Sequence, residues 1–527
     1  MNFPIISLIT FIPLAGALLL IFIHKERKTL LLSFAFSVAL INFIISIILY
    51  LNFNSQTTGP QLVEKASWMG NGINYHVGVD GLSLFLIILT TLLMPIAILS
   101  SWTYIKVKVK EYLIFMLILE TGIIGVFVAL NLFLFYVFWE ATLIPMYFLI
   151  GIWGGPRRIY ATIKFVLFTM LGSLLMLVAI FVLYSLFYKA TGVYSFNLFD
   201  FYKLTLNPDI QLWLFLAFAL SFAIKVPMFP FHTWLPDAHV QAPTAGSVIL
   251  AAILLKMGAF GFLRFALPLF PDAVMRLLPL LIVLSLISII YGGLMALIQK
   301  DIKSLVAYSS VSHMGLIMLA IFSMNVEAIE GAIYQMLNHG LSTGALFLMV
   351  GILYERAHTR LIKDFGGVST QMPVFSAFFL ICMLSSVGLP GLNGFIGEIL
   401  CIFGIFKANK LLAILGISTV VLAAAYLLWM FQRVMQGPIK NEKILSFKDM
   451  NKREIAYLLP IVIMMFWMGI YPKPFLKKMD SYTNDFLKRV IKKEKIFVRG
   501  EKETKLLNKI NKMAHIEEDK DKEEKAR

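Results

Sequence analysis

The sequence predicts an all-α polytopic membrane protein of about fourteen transmembrane helices. Three observations carry that prediction. Of the 527 residues, 59% are hydrophobic and 14% charged, a balance that would leave large apolar patches on a water-soluble domain. The apolar residues gather in runs of about 20, the length that crosses a bilayer as a helix. In lipid every backbone polar group must be paired within its segment or barrel, and runs this long mean helices rather than a barrel.

In chain order the runs fall at roughly 3–23, 30–52, 82–101, 112–130, 132–151, 161–187, 211–231, 243–267, 274–298, 303–323, 327–354, 372–406, 409–433 and 454–471. No small-residue cleavage site follows the first, so it reads as a retained helix rather than a signal peptide. The loops alternate in charge. Those holding Lys25, Arg27 and Lys28, then Lys106, Lys108 and Lys110, Arg157 and Arg158, Lys300 and Lys303, Arg356, Arg360 and Lys363, and Arg433 through Arg453 are basic. The loops between them hold little Lys or Arg. With a net charge of +16, this pattern places the basic loops in the cytoplasm and the N-terminus outside. An even number of spans puts the C-terminus outside as well. From Pro472 the composition changes: 473–527 mixes Lys and Glu densely and reads as a charged tail, parts of which form a solvated or partner-bound helix, with a disordered end. The expected units are 1–105, 106–270, 271–435, 436–472 and 473–527.

An ionisable residue at the bilayer centre costs about 2.5–3.5 kcal/mol on insertion scales, so each is a candidate functional residue. Seven stand inside the runs: Glu120, Glu140, Lys225, Lys256, His313, His339 and Glu398. Lys164 and Arg264 sit nearer helix ends and are expected to reach the interface on their long stems, with no transport role. Glu140 and Lys225 admit two readings. As a structural pair they would fix helix packing. As a switch, their approach stabilises both charged forms, and their separation readies the lysine to release a proton.

The backbone favours a switch. In "FAIKVPMFPFHTWLPDAH", residues 222–239, Pro227 removes a donor and frees an upstream carbonyl, and Pro230 and Pro236 keep the helix from re-forming. Broken backbone at membrane depth is tolerated where it is buried in protein or lines a wet cavity. Five spans later "VGLPGLNGFIGE" makes a second break ahead of Glu398. Matching breaks in two five-helix blocks suggest an inverted-repeat transporter. His313 and His339 suit proton relay, since imidazole titrates near neutrality, and suit hydrogen-bonded packing equally. His232 and His239 straddle Pro236, which argues against a haem held on one helical face. The two cysteines, Cys382 and Cys401, form no CxxC, which argues against zinc or iron–sulfur ligation. With no Gly-rich phosphate loop and no basic–aromatic patch, nucleotide and nucleic-acid binding are discounted.

"FWEATLIPMYFLIGIWGG", "KVPMFPFHTWLPDAHVQAPTAGSVILAAILLKMGAFGFLRF", "SSVSHMGLI", "QMLNHGLSTGALF", "GILYERAHTR" and "GLPGLNGFIGE" together resemble the antiporter-like subunits of proton-pumping NADH:quinone oxidoreductase, respiratory complex I. Related subunits occur in Mrp-type cation/proton antiporters and membrane-bound hydrogenases, which supply the alternative reading. The resemblance runs most closely over 110–435. It implies two inverted five-helix repeats, each containing a broken helix, and a row of polar residues through the membrane centre. In that row Glu140 and Lys225 form the input pair, Lys256 is the central lysine, His313 and His339 connect, and Glu398 is the output carboxylate. Glu120 matches an acidic position of less defined role. Glu398 stands where many members carry lysine, and the charged tail departs from the family pattern. The resemblance further implies a bacterial inner-membrane location and neighbouring antiporter-like subunits. It also implies no cofactor in this chain, with FMN, iron–sulfur clusters and quinone in partner subunits.

Overall fold

The computed structural model describes residues 4–490. The longer helices up to Ile470 are α1 (Ile5–Phe22), α2 (Lys28–Asn52), α3 (Ser83–Ser100), α4 (Val109–Val128), α5 (Leu132–Trp153), α6 (Arg158–Thr191), α7 (Pro208–Lys225) and α8 (Trp234–Gln241). They continue with α9 (Thr244–Leu269), α10 (Pro271–Leu297), α11 (Ile302–Phe322), α12 (Val326–Ala357), α13 (Pro373–Val387), α14 (Asn393–Ala408), α15 (Lys410–Met435) and α16 (Lys452–Ile470). Among the described residues 13 helices are long and apolar enough to cross a membrane. The run expected over 372–406 is divided into α13 and α14, neither of which crosses alone.

Local chemistry sets the boundaries. The side chain of Asn131 accepts from the amides of Phe133 and Leu134 at the start of α5, and Asp301 accepts from Lys303 and Ser304 at the start of α11. Asn451 and Glu454 form a reciprocal capping box on α16. Pro208, Pro271 and Pro373 occupy first-turn positions, where no amide partner is lost.

The expected basic loops gather on one face. Lys28 donates to Lys106 O, the Arg157 amide to Gln241 Oε1, and Arg360 to Val240 O. The opposite face carries an element the apolar runs did not announce, an antiparallel hairpin of β1 (Gln61–Gly70) and β2 (Ile73–Val79). Its turn is Asn71-Gly72, both at positive φ, as a two-residue hairpin turn requires. The Glu64 carboxylate accepts the Ile6 amide at 2.8 Å and so ties the hairpin to the start of α1.

Two sequence expectations are corrected on this face. The stretch 473–490 is a packed helix, with Phe475, Met479, Thr483, Phe486 and Val490 buried. An apolar residue every third or fourth position along it outweighs its charged composition; 491–527 lies outside the described residues. Arg264 is not exposed to water. Its side chain is 6% exposed and donates to the Asp80 carboxylate through both terminal guanidinium nitrogens, at 2.5 and 2.7 Å. A local acceptor spares it the journey to water.

The spans divide by burial. α9, α11 and α12 are 100%, 94% and 100% buried over their most apolar windows, against 39% for α6 and 33% for α10 and α15. Polar side chains on the three central helices can therefore meet one another without touching lipid.

Candidate functional site

The first break shows what proline does to a helix end. The carbonyl of Ala223 would normally take the amide of residue 227, but Pro227 has none. The Met228 amide turns back to Ala223 O at 2.8 Å instead. That leaves Ile224 O free, and it accepts the Trp234 indole N–H at 2.9 Å. The freed carbonyl expected from the sequence is thus present, and an α8 side chain takes it.

Beyond the break, α9 carries Lys256 between two π-helical stretches, Leu250–Leu254 and Phe262–Ala266. Such wide turns are frequent at functional sites. Gly258 lets α9 approach the broken end of α7: a Cβ there would lie 2.7 Å from Phe222 O and 2.8 Å from the Val226 amide nitrogen. Lys256 is fully buried; its Nζ lies 2.6 Å from Ala251 O and 2.6 Å from His339 Nδ1. At that separation one nitrogen donates and the other must accept, so the pair shares a proton rather than carrying two charges.

From His339 the polar contacts continue. Its ring centroid is 5.8 Å from that of His313. His313 Nδ1 lies 3.5 Å from Glu398 Oε1, and its Nε2 is 3.3 Å from the Tyr426 hydroxyl. Gln335 Nε2 donates to Glu398 at 3.4 Å. The second break supports this end: Ser385 donates to Asn393 Oδ1 at 2.7 Å, and Asn338 donates to Asn393 O at 2.8 Å. Gly388, at φ +82, leaves the space that the Glu398 carboxylate occupies. Four of the residues singled out in the sequence, Lys256, His339, His313 and Glu398, therefore form one contiguous buried track.

The other three do not join it. Glu140 and Lys225 make no ion pair; the Lys225 ammonium instead lies over the rings of Trp139 and Phe165, at 5.3 and 5.8 Å. Glu140 is half-buried on α5, and its Oε1 meets no protein partner. Glu120 is buried on α4 and accepts from Asn42 Nδ2 of α2 at 2.8 Å, away from the track. Lys164, partly exposed near the start of α6, pairs with Asp237 of α8 at 2.7 Å.

Other polar residues gain weight only in three dimensions. His239, weighed in the sequence only as a haem ligand, is fully buried with neither ring nitrogen partnered, and stacks on Phe347 at 4.6 Å. Its charged neighbours are Lys303 and Lys256, so it lies between the basic face and the track. Lys303, read as a loop residue, is buried and donates to Ala242 O at 2.6 Å. His232 is likewise buried and unpartnered. Both histidines are visible in "HTWLPDAH", but their burial is not. Among the described residues no cluster of three or more His, Cys, Asp or Glu could hold a metal ion.

Residues 129–440 match the family described as NADH:quinone oxidoreductase/Mrp antiporter, transmembrane. NADH-quinone oxidoreductase subunit M of Rhodobacter capsulatus is 46% identical over 482 residues, covering 89% of this chain and 93% of that protein. NADH-ubiquinone oxidoreductase chain 4 of Arabidopsis thaliana is 45% identical over 477 residues, covering 90% and 95%. Among solved structures, a chain of respiratory complex I from Thermus thermophilus with bound NADH superposes with a TM-score of 0.84 at 33% identity, covering 92% of this chain and 99% of that one.

Proposed function

The chain belongs to the NADH:quinone oxidoreductase/Mrp antiporter membrane family, and from that premise we propose that its buried track carries protons. It is a multi-pass membrane subunit of a proton-translocating NADH:quinone oxidoreductase, the counterpart of relatives named subunit M and chain 4. In that complex it works beside other membrane subunits. Its own side chains perform no redox step. FMN, iron–sulfur clusters and quinone belong to partner subunits, whose chemistry drives this one. We place it in a bacterial inner membrane with the basic loops in the cytoplasm and the N-terminus outside. The two five-span blocks, 106–270 and 271–435, serve as inverted repeats, and in each the fourth span is the broken one.

A proton enters from the basic face by Lys303 and His239, is held at Lys256, passes His339 and His313, and leaves by Glu398. Groups within hydrogen-bond reach hand the proton over directly, and the longer step between the two rings needs a bridging water. Glu140 sets the proton affinity of the track through Lys225. The observation that carries this reading is the buried contact series Lys256–His339–His313–Glu398. Purified complex carrying Lys225→Ala, reconstituted in liposomes, should oxidise NADH with pumping lost and assembly intact. Normal acidification by that assembled variant would remove Lys225 from the mechanism.

A further inference from the structure

Lys225 is 2% exposed, and among the described residues no oxygen accepts from its ammonium and no carboxylate pairs with it. What surrounds the charge is aromatic: Trp139 of α5 at 5.3 Å and Phe165 of α6 at 5.8 Å, both within cation–π reach. We propose that Trp139 and Phe165 are positioning residues for Lys225, a clamp of two ring faces that seats the protonated ammonium whenever it is away from Glu140. The proposal rests on the reading of Lys225 as a proton-handling switch and supplies the state that reading leaves undefined.

The rings are fixed in place. Trp139 packs edge-on against Phe222 at 5.6 Å and lies tilted against Phe135 at 5.5 Å. Phe165 lies 5.3 Å from Trp234, whose indole binds Ile224 O, the carbonyl released one residue before Lys225. The clamp is therefore braced by the broken backbone, and movement of the break moves one jaw. Each jaw also adjoins a charge in sequence. Trp139 precedes Glu140, and Phe165 follows Lys164, which Asp237 of α8 holds at 2.7 Å. A swing of the Lys225 stem thus exchanges an aromatic seat for a carboxylate seat on the same turn of α5.

The elements around the broken end of α7 bring the ionisable groups Tyr136 and Glu140 from α5, Lys164 from α6, His232 in the break, Asp237 and His239 from α8, Lys256 and Arg264 from α9 and Tyr291 from α10. Of these, Glu140 is the one whose charge acts on it. The clamp favours the charged lysine, so its removal weakens the hold on the proton. The alkaline limb of pumping that depends on protonated Lys225 then moves to lower pH.

The test is proton pumping against pH in liposomes holding assembled complex with Trp139→Leu, Trp139→Phe or Phe165→Leu, beside Lys225→Met. We expect the limb to fall by about 1 pH unit in Trp139→Leu and by less in the other two, since indole is the strongest ring partner. Normal pumping by Lys225→Met would overturn the role of Lys225, and the clamp with it. If Lys225→Met is inactive but the ring variants keep their limb, or lose rate equally at every pH, the clamp alone is overturned. Should Trp139→Leu not assemble, Trp139→Phe and Phe165→Leu decide, and unchanged limbs in both would end the proposal.

Discussion

The two halves of the buried polar row are built differently. From Lys256 to Glu398 each charged or titratable side chain touches a polar one, and Lys256, His339 and His313 stand on the three helices buried inside the protein. At Lys225 the neighbours are indole and phenyl rings, and Glu140 is half-buried on a helix whose next turn exposes Ile144 and Tyr147. A row of uniform design would have continued imidazoles and amides through both halves. The contrast teaches that the two halves hold their charges by different means, and it supports our proposal that they have separate tasks. Hydrogen-bonded polar contacts conduct because donor and acceptor roles can be exchanged along them. An ammonium between rings cannot hand its proton to carbon, so it stores charge until a carboxylate or a water approaches. On the proposed reading one half is a conductor and the other a gate.

The largest expected effect comes from opening the conductor at its tightest contact. Lys256→Met deletes the group shared with His339 and should lower pumping by about 100-fold or more, the scale of a lost acid–base group. Dye-monitored acidification of proteoliposomes measures it, and pumping within twofold of wild type would show that protons bypass Lys256. Glu140→Gln tests the gate. Deleting one end of a coupling worth about 1–3 kcal/mol should slow pumping by roughly 10-fold while leaving the Lys256–Glu398 segment able to exchange protons. If Glu140→Gln is as severe as Lys256→Met, the two halves are one device. Tyr426→Phe removes a single 3.3 Å contact on His313 and should cost about 3-fold, the value of one hydrogen bond of roughly 0.5–1 kcal/mol. No change in turnover would make that hydroxyl packing alone.

The same contrast sets what could be read from the chain alone. Apolar runs gave the spans because length and hydropathy are summed over about 20 residues and survive local error. The breaks were legible because proline lacks an amide whatever surrounds it, and the carbonyl it frees is seen at Ile224. The residues of the buried track were legible too: a His or Lys inside an apolar run is costly, so its position announces itself. The gate was half legible. Lys225 and Glu140 stood out, but Trp139 and Phe165 are two aromatic residues among many, and nothing in their spacing says that an ammonium lies between them. The hairpin had a signal, the Asn71-Gly72 pair between alternating residues, that a search for long apolar runs passes over. The packing of the helix over 473–490 against this chain was hidden by averaging charge over a segment whose buried face is narrow. Arg264 was misread for lack of its partner, since Asp80 lies outside any apolar run.

That last pair supplies the mildest test of the division between wiring and support. Asp80 and Arg264 hold the far end of α9, two turns beyond Lys256, and they touch no residue of the track. Burial alone would raise the Asp80 carboxyl; the Arg264 guanidinium and the amide and hydroxyl of Ser83 outweigh it and hold the group below the usual carboxylate range. A carboxyl lowered on folding adds stability above its unfolded value near ~4, and that contribution is lost as pH falls through the folded value. Asp80→Asn should therefore cost about 3 kcal/mol at neutral pH by stranding a buried guanidinium, and the gap from wild type should narrow on acidification below about pH 4. Thermal unfolding of the detergent-solubilised complex across that range measures both. Pumping per assembled complex should change by less than about twofold, because the track needs the helix in place and not the charges at its end. A gap that stays constant with pH would mean that packing, not the ion pair, anchors α9. A collapse of pumping in a stably assembled Asp80→Asn would extend the conductor to a face where no contact in the structure continues it.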